Sequence, residues 1–382
     1  MTYILMFLFC FAAFLWVFRY SPYRKALIAL YLYHSSISVI FMQMFIESGS
    51  DFSYYFEQAT TEEGWPFGFG TAFVIFLTRV LSLNGALGIW EVSLIFNLLG
   101  SIGLAFLYVR LRELAEGQHG LRAAFPVMVA LLPGLSFWTS AIGKDSLSFF
   151  AIALIIMSLS GAQRRFFMFL FGALLLVLIR PHVGTVMMGA VFGAGLTSRA
   201  VPFRAKAFIL IAGVAAAYWI LPLALTYVGL PSSISIAELA QYISDRQEQN
   251  QGQGASFDVS GQPAALAIFS FLFRPLFEIG GITGLMASFE NLVLLAIVLT
   301  LTLPSVFAIL MRPTFEVRAN LLFVVFMLLM LAPITANSGI AVRQKTMILP
   351  SLFVLTALGA ARRRSRHQSV ENSPAQSVST AA

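Results

Sequence analysis

Trp138-Thr-Ser-Ala-Ile-Gly-Lys-Asp-Ser146 separates two apolar runs, Ala123–Phe137 and Leu147–Leu159, and neither run has a charge in its interior. A lysine and an aspartate cost little where their heads reach water but a great deal deeper in a bilayer. The stretch therefore reads as a turn at a membrane surface. The rest of the chain agrees: of 382 residues, 59% are hydrophobic and 11% charged, against about 25% charged in a soluble domain. An all-α, polytopic integral membrane protein follows, with one helical domain over residues 1–361 and a Ser/Gln/Ala-rich tail, 362–382, expected to be disordered and cytoplasmic.

A spanning helix needs about 20 apolar residues, with about 17 tolerated. Candidates are Tyr3–Phe18, Ala26–Ile46, Ala86–Val109, Ala123–Trp138, Leu147–Ser160, Phe166–Ile179, Val183–Thr197, Ala207–Val228, Leu285–Met311, Leu321–Ala336 and Met347–Ala361. Phe67–Leu83 and Pro263–Ile282 are apolar too, but glycine, proline or arginine interrupts them. The cluster Arg362-Arg363-Arg364-Ser365-Arg366 places the carboxyl end inside by the positive-inside rule. Arg312/Arg318, Arg199/Arg204/Lys206, Arg164-Arg165, Arg110/Arg112/Arg122 and Arg19/Arg24/Lys25 fall on the same side only if the two interrupted segments are re-entrant or interfacial. The expectation is about eleven crossings, with the amino terminus outside. Outer loops then cover 47–66 and 229–262, the latter Gln/Ser/Gly-rich and expected to be mobile, and Asn337–Thr346 forms a short basic one.

With this sidedness the unusual residues gather on the outer face. Asp51 opens the first loop, and Lys144 and Asp145 occupy the second turn. Arg180-Pro181-His182 makes a third turn, Arg274-Pro275 and Glu278 lie in the second broken segment, and Arg343-Gln344-Lys345 end the last loop. Glu290 falls about one helical turn inside its span. Irregular backbone at membrane depth survives only when buried in protein or lining a wet cavity, so an outward-opening polar cavity is predicted. Arginine suits bidentate contact with phosphate oxygens, and lysine acts as a mobile point charge. A carboxylate such as Asp51 can take a proton from an incoming hydroxyl. Together they fit group transfer from a phosphate-activated, lipid-linked donor to a hydroxyl. Each also has a purely structural use. Asp51 and Asp145 suit helix N-caps, Arg180 can snorkel to the headgroups, and Arg274 with Glu278 can form an i,i+4 ion pair. His182, a lone histidine beside a proline, suits a structural role more readily than a chemical one.

Other chemistries are missing. The chain has no Gly-x-x-x-x-Gly-Lys-Ser/Thr loop, no His-Glu-x-x-His and no Gly-x-Ser-x-Gly. The single cysteine, Cys10, excludes an internal disulfide. Of four histidines, His119 and His367 are expected on the cytoplasmic side, so neither a zinc site nor any cofactor is expected; a divalent metal is optional. The inner basic clusters are topology signals and imply no nucleic acid.

Gly49-Ser-Asp-Phe-Ser-Tyr-Tyr55, Phe137-Trp-Thr-Ser-Ala-Ile-Gly-Lys-Asp-Ser146, Ile179-Arg-Pro-His182, Phe273-Arg-Pro-Leu-Phe-Glu278 and Val342-Arg-Gln-Lys345 resemble, in this order, proteins of bacterial surface-polysaccharide loci. Those are O-antigen or exopolysaccharide repeat-unit polymerases and related membrane glycosyltransferases with a GT-C-like core. The resemblance runs from about Asp51 to Lys345 and implies an undecaprenyl-diphosphate-linked glycan donor at the outer face of a bacterial plasma membrane, with other polysaccharide-assembly proteins as neighbours. It implies that Arg180, Arg274, Arg343 and Lys144 hold the diphosphate, with Asp51 as base or acceptor-positioning group. Glu278 is the second candidate catalytic carboxylate, and Asp145, His182, Glu290 and Lys345 complete the candidate substrate-binding set. Two features depart from the pattern: Asp51 has no acidic neighbour, and the long outer loop carries only Arg246. The rival reading is a transporter or flippase of a lipid-linked glycan or another anionic solute; a non-catalytic assembly factor is a third.

Overall fold

The computed structural model describes every residue except 47–49, 62–63, 65–66, 161–164, 200, 231–234, 252–254, 260, 278–280, 312 and 372–382, with backbone alone at 236, 251, 282 and 365–371. The described residues are 81% helix. They contain no strand, only an isolated bridge between Ser256 and Asn337. Backbone hydrogen bonds thus close almost entirely within segments, as a bilayer requires.

The first part of the chain forms α1 (Thr2–Val17), α2 (Arg24–Phe45), α3 (Asp51–Thr61), α4 (Thr71–Leu81), α5 (Ile89–Leu114), α6 (Leu121–Ala130) and α7 (Pro133–Trp138). Next come α8 (Lys144–Leu159), α9 (Phe166–Ile179), α10 (Pro181–Thr197), α11 (Phe203–Val228) and α12 (Ile236–Gln251). The chain ends with α13 (Ala264–Phe273), α14 (Gly281–Ile297), α15 (Leu303–Met311), α16 (Phe315–Leu331), α17 (Ser338–Lys345) and α18 (Leu349–Glu371). Local chemistry sets several of these boundaries. Arg180 is extended because a proline follows it, and Pro181 then starts α10 at a position where its missing N–H costs nothing. Pro304 deprives the preceding turn of a donor, and Val298–Thr302 widens into a π turn between α14 and α15.

Among the described residues, six stretches are long and apolar enough to cross a membrane: α2, α5, Leu121–Trp138, α11, Thr283–Met311 and Phe315–Ile334. The pair α17–α18, bent by 55°, is a seventh if it forms a single span. This is an all-helical protein with about six candidate membrane-spanning helices. Of the other expected spans, α1, α8, α9 and α10 have 16, 16, 14 and 17 residues. The two segments expected not to cross contain only short helices, α4 with 11 residues and α13 with 10.

Three stretches expected to be irregular are helical. Loop 229–262 contains α12, opened by a capping box in which Ser235 N–H donates to Glu238 Oε2 (2.7 Å) and Glu238 N–H donates to Ser235 Oγ (3.2 Å). Those bonds to the ionised form hold the exposed Glu238 carboxyl below its usual range. The basic loop at 337–346 is mostly α17, because the Asn337 side chain accepts from the N–H groups of Gly339 and Ile340. The start of the expected disordered tail, 362–371, continues α18.

Helix α8 runs through the middle, its residues buried from Asp145 to Met157, and packs on α5 and α9. Small residues allow the close approach. A Cβ on Gly103 of α5 would lie 3.1 Å from the Phe150 Cα of α8, one on Gly172 of α9 would lie 2.9 Å from the Ala151 carbonyl oxygen, and one on Gly100 of α5 would lie 2.0 Å from the Thr139 carbonyl oxygen in the turn before α8. By contrast α11 leaves Phe203, Phe208, Ile211 and Trp219 exposed and packs chiefly on α10. The bundle has two distinct ends. The turn at 138–146 lies against the Gly100 level of α5. Arg110, about 15 Å further along that helix, pairs with Glu316 at the start of α16. Beside that pair Arg364 donates to the Glu116 carbonyl (2.9 Å).

Candidate functional site

The site is built around Asp145. Gly143 ends the turn in extended backbone and α8 begins at Lys144, so Asp145 falls in the first turn, where the helix dipole favours a carboxylate. Its side chain is only 5% exposed, and a charge so placed needs partners. Two arginines supply them. Arg180, between α9 and α10, donates from Nη2 to Oδ1 at 2.5 Å, and Arg343 of α17 donates from Nε to Oδ2. One carboxylate thereby ties together three distant parts of the chain.

Arg343 also donates from Nη1 to Asp51 Oδ2 at 2.5 Å. Asp51, the first residue of α3, is 57% exposed at its side chain, against 28% for Arg343. The cluster is therefore graded, sealed at Asp145 and open at Asp51. It borders a cavity of about 200 Å³ lined by Ser50, Asp51, Phe52, Trp138, Asp145 and Arg343, among others. Tyr55 of α3 is buried next to it, and that burial pushes its phenol up to about 12, the Asp51 carboxylate adding to the effect. Tyr55 is therefore a neutral O–H at neutral pH.

Lys144 points elsewhere. Its Nζ donates to the Tyr227 hydroxyl at 3.2 Å, and Tyr227, near the end of α11, stacks on the His182 ring at 5.5 Å. Gly70 makes room for that phenol: it has φ +69°, and a Cβ there would lie 2.2 Å from the Tyr227 ring. Among the described residues, Arg180 Nε and His182 Nδ1 are buried without a hydrogen-bond partner. Buried polar groups ordinarily find a partner, so these two atoms keep bonding capacity in reserve.

Glu290, Lys345 and Arg274 form a second group. Glu290 of α14 accepts from the Gly134 N–H at 2.5 Å, at the start of α7. Lys345, expected on an exposed loop, is buried, and its Nζ donates to Asn291 Oδ1. Asn291 in turn donates to the Pro275 carbonyl (2.9 Å). Arg274, expected with the other diphosphate-binding cations, lies over the Phe257 ring at 4.9 Å. A cavity of about 280 Å³ opens between α7, α14 and α17, with Glu290 in its wall. Phe45 and Trp138 line both cavities.

A buried polar network steadies the turn that carries Lys144 and Asp145. His34 Nδ1 lies 2.7 Å from Asn97 Oδ1, and Nε2 lies 3.1 Å from Thr139 Oγ1. Ser38 donates to the Ser140 carbonyl at 2.6 Å. Sequence reasoning passed over His34, Asn97 and Tyr227. The signal for the first two was present, since polar side chains inside apolar runs are costly and therefore purposeful.

Of the candidate residues, Asp51, Asp145, Arg180 and Arg343 meet in one cluster, and Lys144 and His182 meet at Tyr227 beside it. Glu290 and Lys345 lie in the second group, with Arg274 beside Pro275. Glu278 lies outside the described residues. Among the described residues no three His, Cys, Asp or Glu side chains come together as a metal site. Compared with family models, curated proteins and solved structures, the chain matches none.

Proposed function

We propose that the protein is a membrane glycosyltransferase, of the surface-polysaccharide polymerase kind, using a polyprenyl-diphosphate-linked glycan as donor. The reading includes the full topology: about eleven crossings, α4 and α13 not crossing, and the Asp145 end outside. Supporting that orientation, Arg110 and Arg364 lie at the opposite end from Asp145. The observation that carries the chemistry is Arg343, shared between a buried and an open carboxylate at the mouth of a cavity.

In the reaction, the acceptor hydroxyl oxygen bonds to the anomeric carbon as that carbon's bond to the diphosphate oxygen breaks. The electron pair leaves with the diphosphate, and the hydroxyl proton passes to Asp51. Asp145 fixes both guanidiniums in place before the donor arrives, so they need little reorganisation as charge develops on the leaving group. Arg343 uses Nε and Nη1 on the two carboxylates, which leaves Nη2 for a phosphate oxygen. Asp51, being exposed, can swing from Arg343 to the acceptor.

The test is reconstitution in vesicles with undecaprenyl-diphosphate-linked glycan. Wild type is expected to form new glycosidic bonds, and Arg343→Lys to lose about 100-fold or more in turnover, in line with loss of a preorganised charge donor. Lysine keeps the charge but not the fork. Movement of donor across the bilayer without a new bond would replace this reading with transport.

A further inference from the structure

The cavity between α7, α14 and α17 has no part in the ionic chemistry above, yet it is the larger of the two. Its walls are mostly apolar, with Phe45, Phe137 and Trp138 on one side and Met286 and Ala287 on the other. One charged side chain, Glu290, interrupts them, and it is buried. We propose that this cavity binds a single neutral, hydroxylated ring, a pyranose of the acceptor glycan, with Glu290 accepting from its hydroxyls. The acceptor role rests on the transferase reading above; binding of the ring does not.

Charge and chemistry select this occupant. A hydrocarbon chain would leave the Glu290 carboxylate dry on the cavity side with nothing in exchange, a costly state for an ion. An anion would face that carboxylate directly. A cation finds less attraction than the glutamate suggests, because the Lys345 amine is held at Asn291, the next residue along α14. A neutral ring with one apolar face and several hydroxyls meets both kinds of wall: C–H groups against the aromatics, O–H groups toward the carboxylate. Size agrees, since drug-sized ligands occupy about 300–1,000 Å³, and this space of about 280 Å³ suits one ring.

The carboxylate is also held ready. Gly134 N–H binds Oε2 at 2.5 Å, and a Cβ at that glycine would lie 2.5 Å from the same oxygen. A side chain at residue 134 would thus push the carboxylate from its place, and the bond on one oxygen leaves Oε1 for a ligand. Location supplies the last link. Phe45 and Trp138 wall both cavities, so a ring seated here lies next to the Asp51–Arg343–Asp145 cluster.

Saturation-transfer NMR on the full chain in lipid nanodiscs tests this, offering D-glucose, D-galactose, L-rhamnose and N-acetyl-D-glucosamine singly, with isothermal titration calorimetry on the same nanodiscs for inorganic pyrophosphate, which has no carbon-bound proton to observe. At least one sugar is expected to receive saturation from wild type. Glu290→Gln should weaken that sugar about tenfold and Ala287→Phe, which fills the space, should abolish its signal. Pyrophosphate binding should stay within twofold in both. If Ala287→Phe does not fold, the Glu290→Gln titration decides alone. No sugar signal from wild type, an unchanged affinity in Glu290→Gln, or displacement of the sugar by geranylgeraniol would each overturn the proposal. Sugar binding without pyrophosphate binding would instead count against the transferase reading and leave the sugar site standing.

Discussion

Two buried ion-pair clusters occupy opposite ends of this bundle, and they are built differently. At one end Arg110 grips Glu316 with Nε and Nη2, at 2.8–3.0 Å, both side chains 11% exposed. Glu113, one helical turn along, takes a further Arg110 N–H. All three guanidinium nitrogens are engaged there by the two carboxylates, and neither Arg110 nor Glu316 lines any of the cavities described above. At the other end Asp145 serves two arginines, Arg343 is shared with an exposed Asp51, a cavity adjoins them, and Arg180 Nε has no partner among the described residues. The first arrangement is a fastener between α5 and α16. The second borders open space through Asp51 and Arg343 and keeps a buried guanidinium N–H without a partner among the described residues, which is what distinguishes a site from a strut.

The sharpest way to break that comparison is Asp145→Ala. Removing one member of a buried ion pair typically costs about 3–5 kcal/mol because it strands the partner, and here two guanidiniums are stranded. Denaturant unfolding in a constant lipid background should show a loss of that size, with transfer abolished even in the folded fraction. Retained turnover would mean the two arginines hold their places without the carboxylate, and the central role given to Asp145 would be wrong.

Asp51→Ala comes next. The Asp51 side chain is more than half exposed, and exposed pairs contribute about 0–1 kcal/mol, so unfolding should barely change. Turnover should fall about 10²–10⁴-fold, the range for loss of a general base. A large stability loss with little change in turnover would make Asp51 a structural cap of α3 and nothing more.

Much of this was legible in the sequence, and the parts that were not share a cause. The turn at Trp138–Ser146 and the break at Arg180-Pro181 follow from local chemistry, a polar interruption and a proline, and both are present. The expectation brought Asp51, Asp145, Arg180 and Arg343 to one outward polar cavity, together with Arg274 and Lys144; which carboxylate holds which arginine depends on packing. The burial of α8 was hidden, because an apolar run reads the same whether lipid or protein surrounds it. Lys345 was misplaced for a related reason. Its partner Asn291 is 54 residues away, and a basic cluster beside Asn-Ser-Gly looks like a solvated loop until Asn337 is seen capping a helix. The α12 capping box at Ser235 and Glu238 could have been read directly, but the Gln- and Gly-rich stretch after it carried more weight.

The smallest expected effect is the most discriminating. Replacing a buried ion pair by apolar side chains of similar volume is often neutral or stabilising by about 1–4 kcal/mol. The desolvation cost of both ions disappears together with their attraction, so the net change is small. If the Arg110–Glu316 contact is only a fastener, the double variant Arg110→Met with Glu316→Leu should unfold no earlier than wild type. Its turnover per folded molecule should stay within about twofold. Glu113, left without Arg110, is 39% exposed at its side chain and can turn to water. Unfolding curves and initial rates on the same preparation check both halves. A fall in turnover with stability intact would show that the far end communicates with the cavity, and the division into strut and site would have to be redrawn.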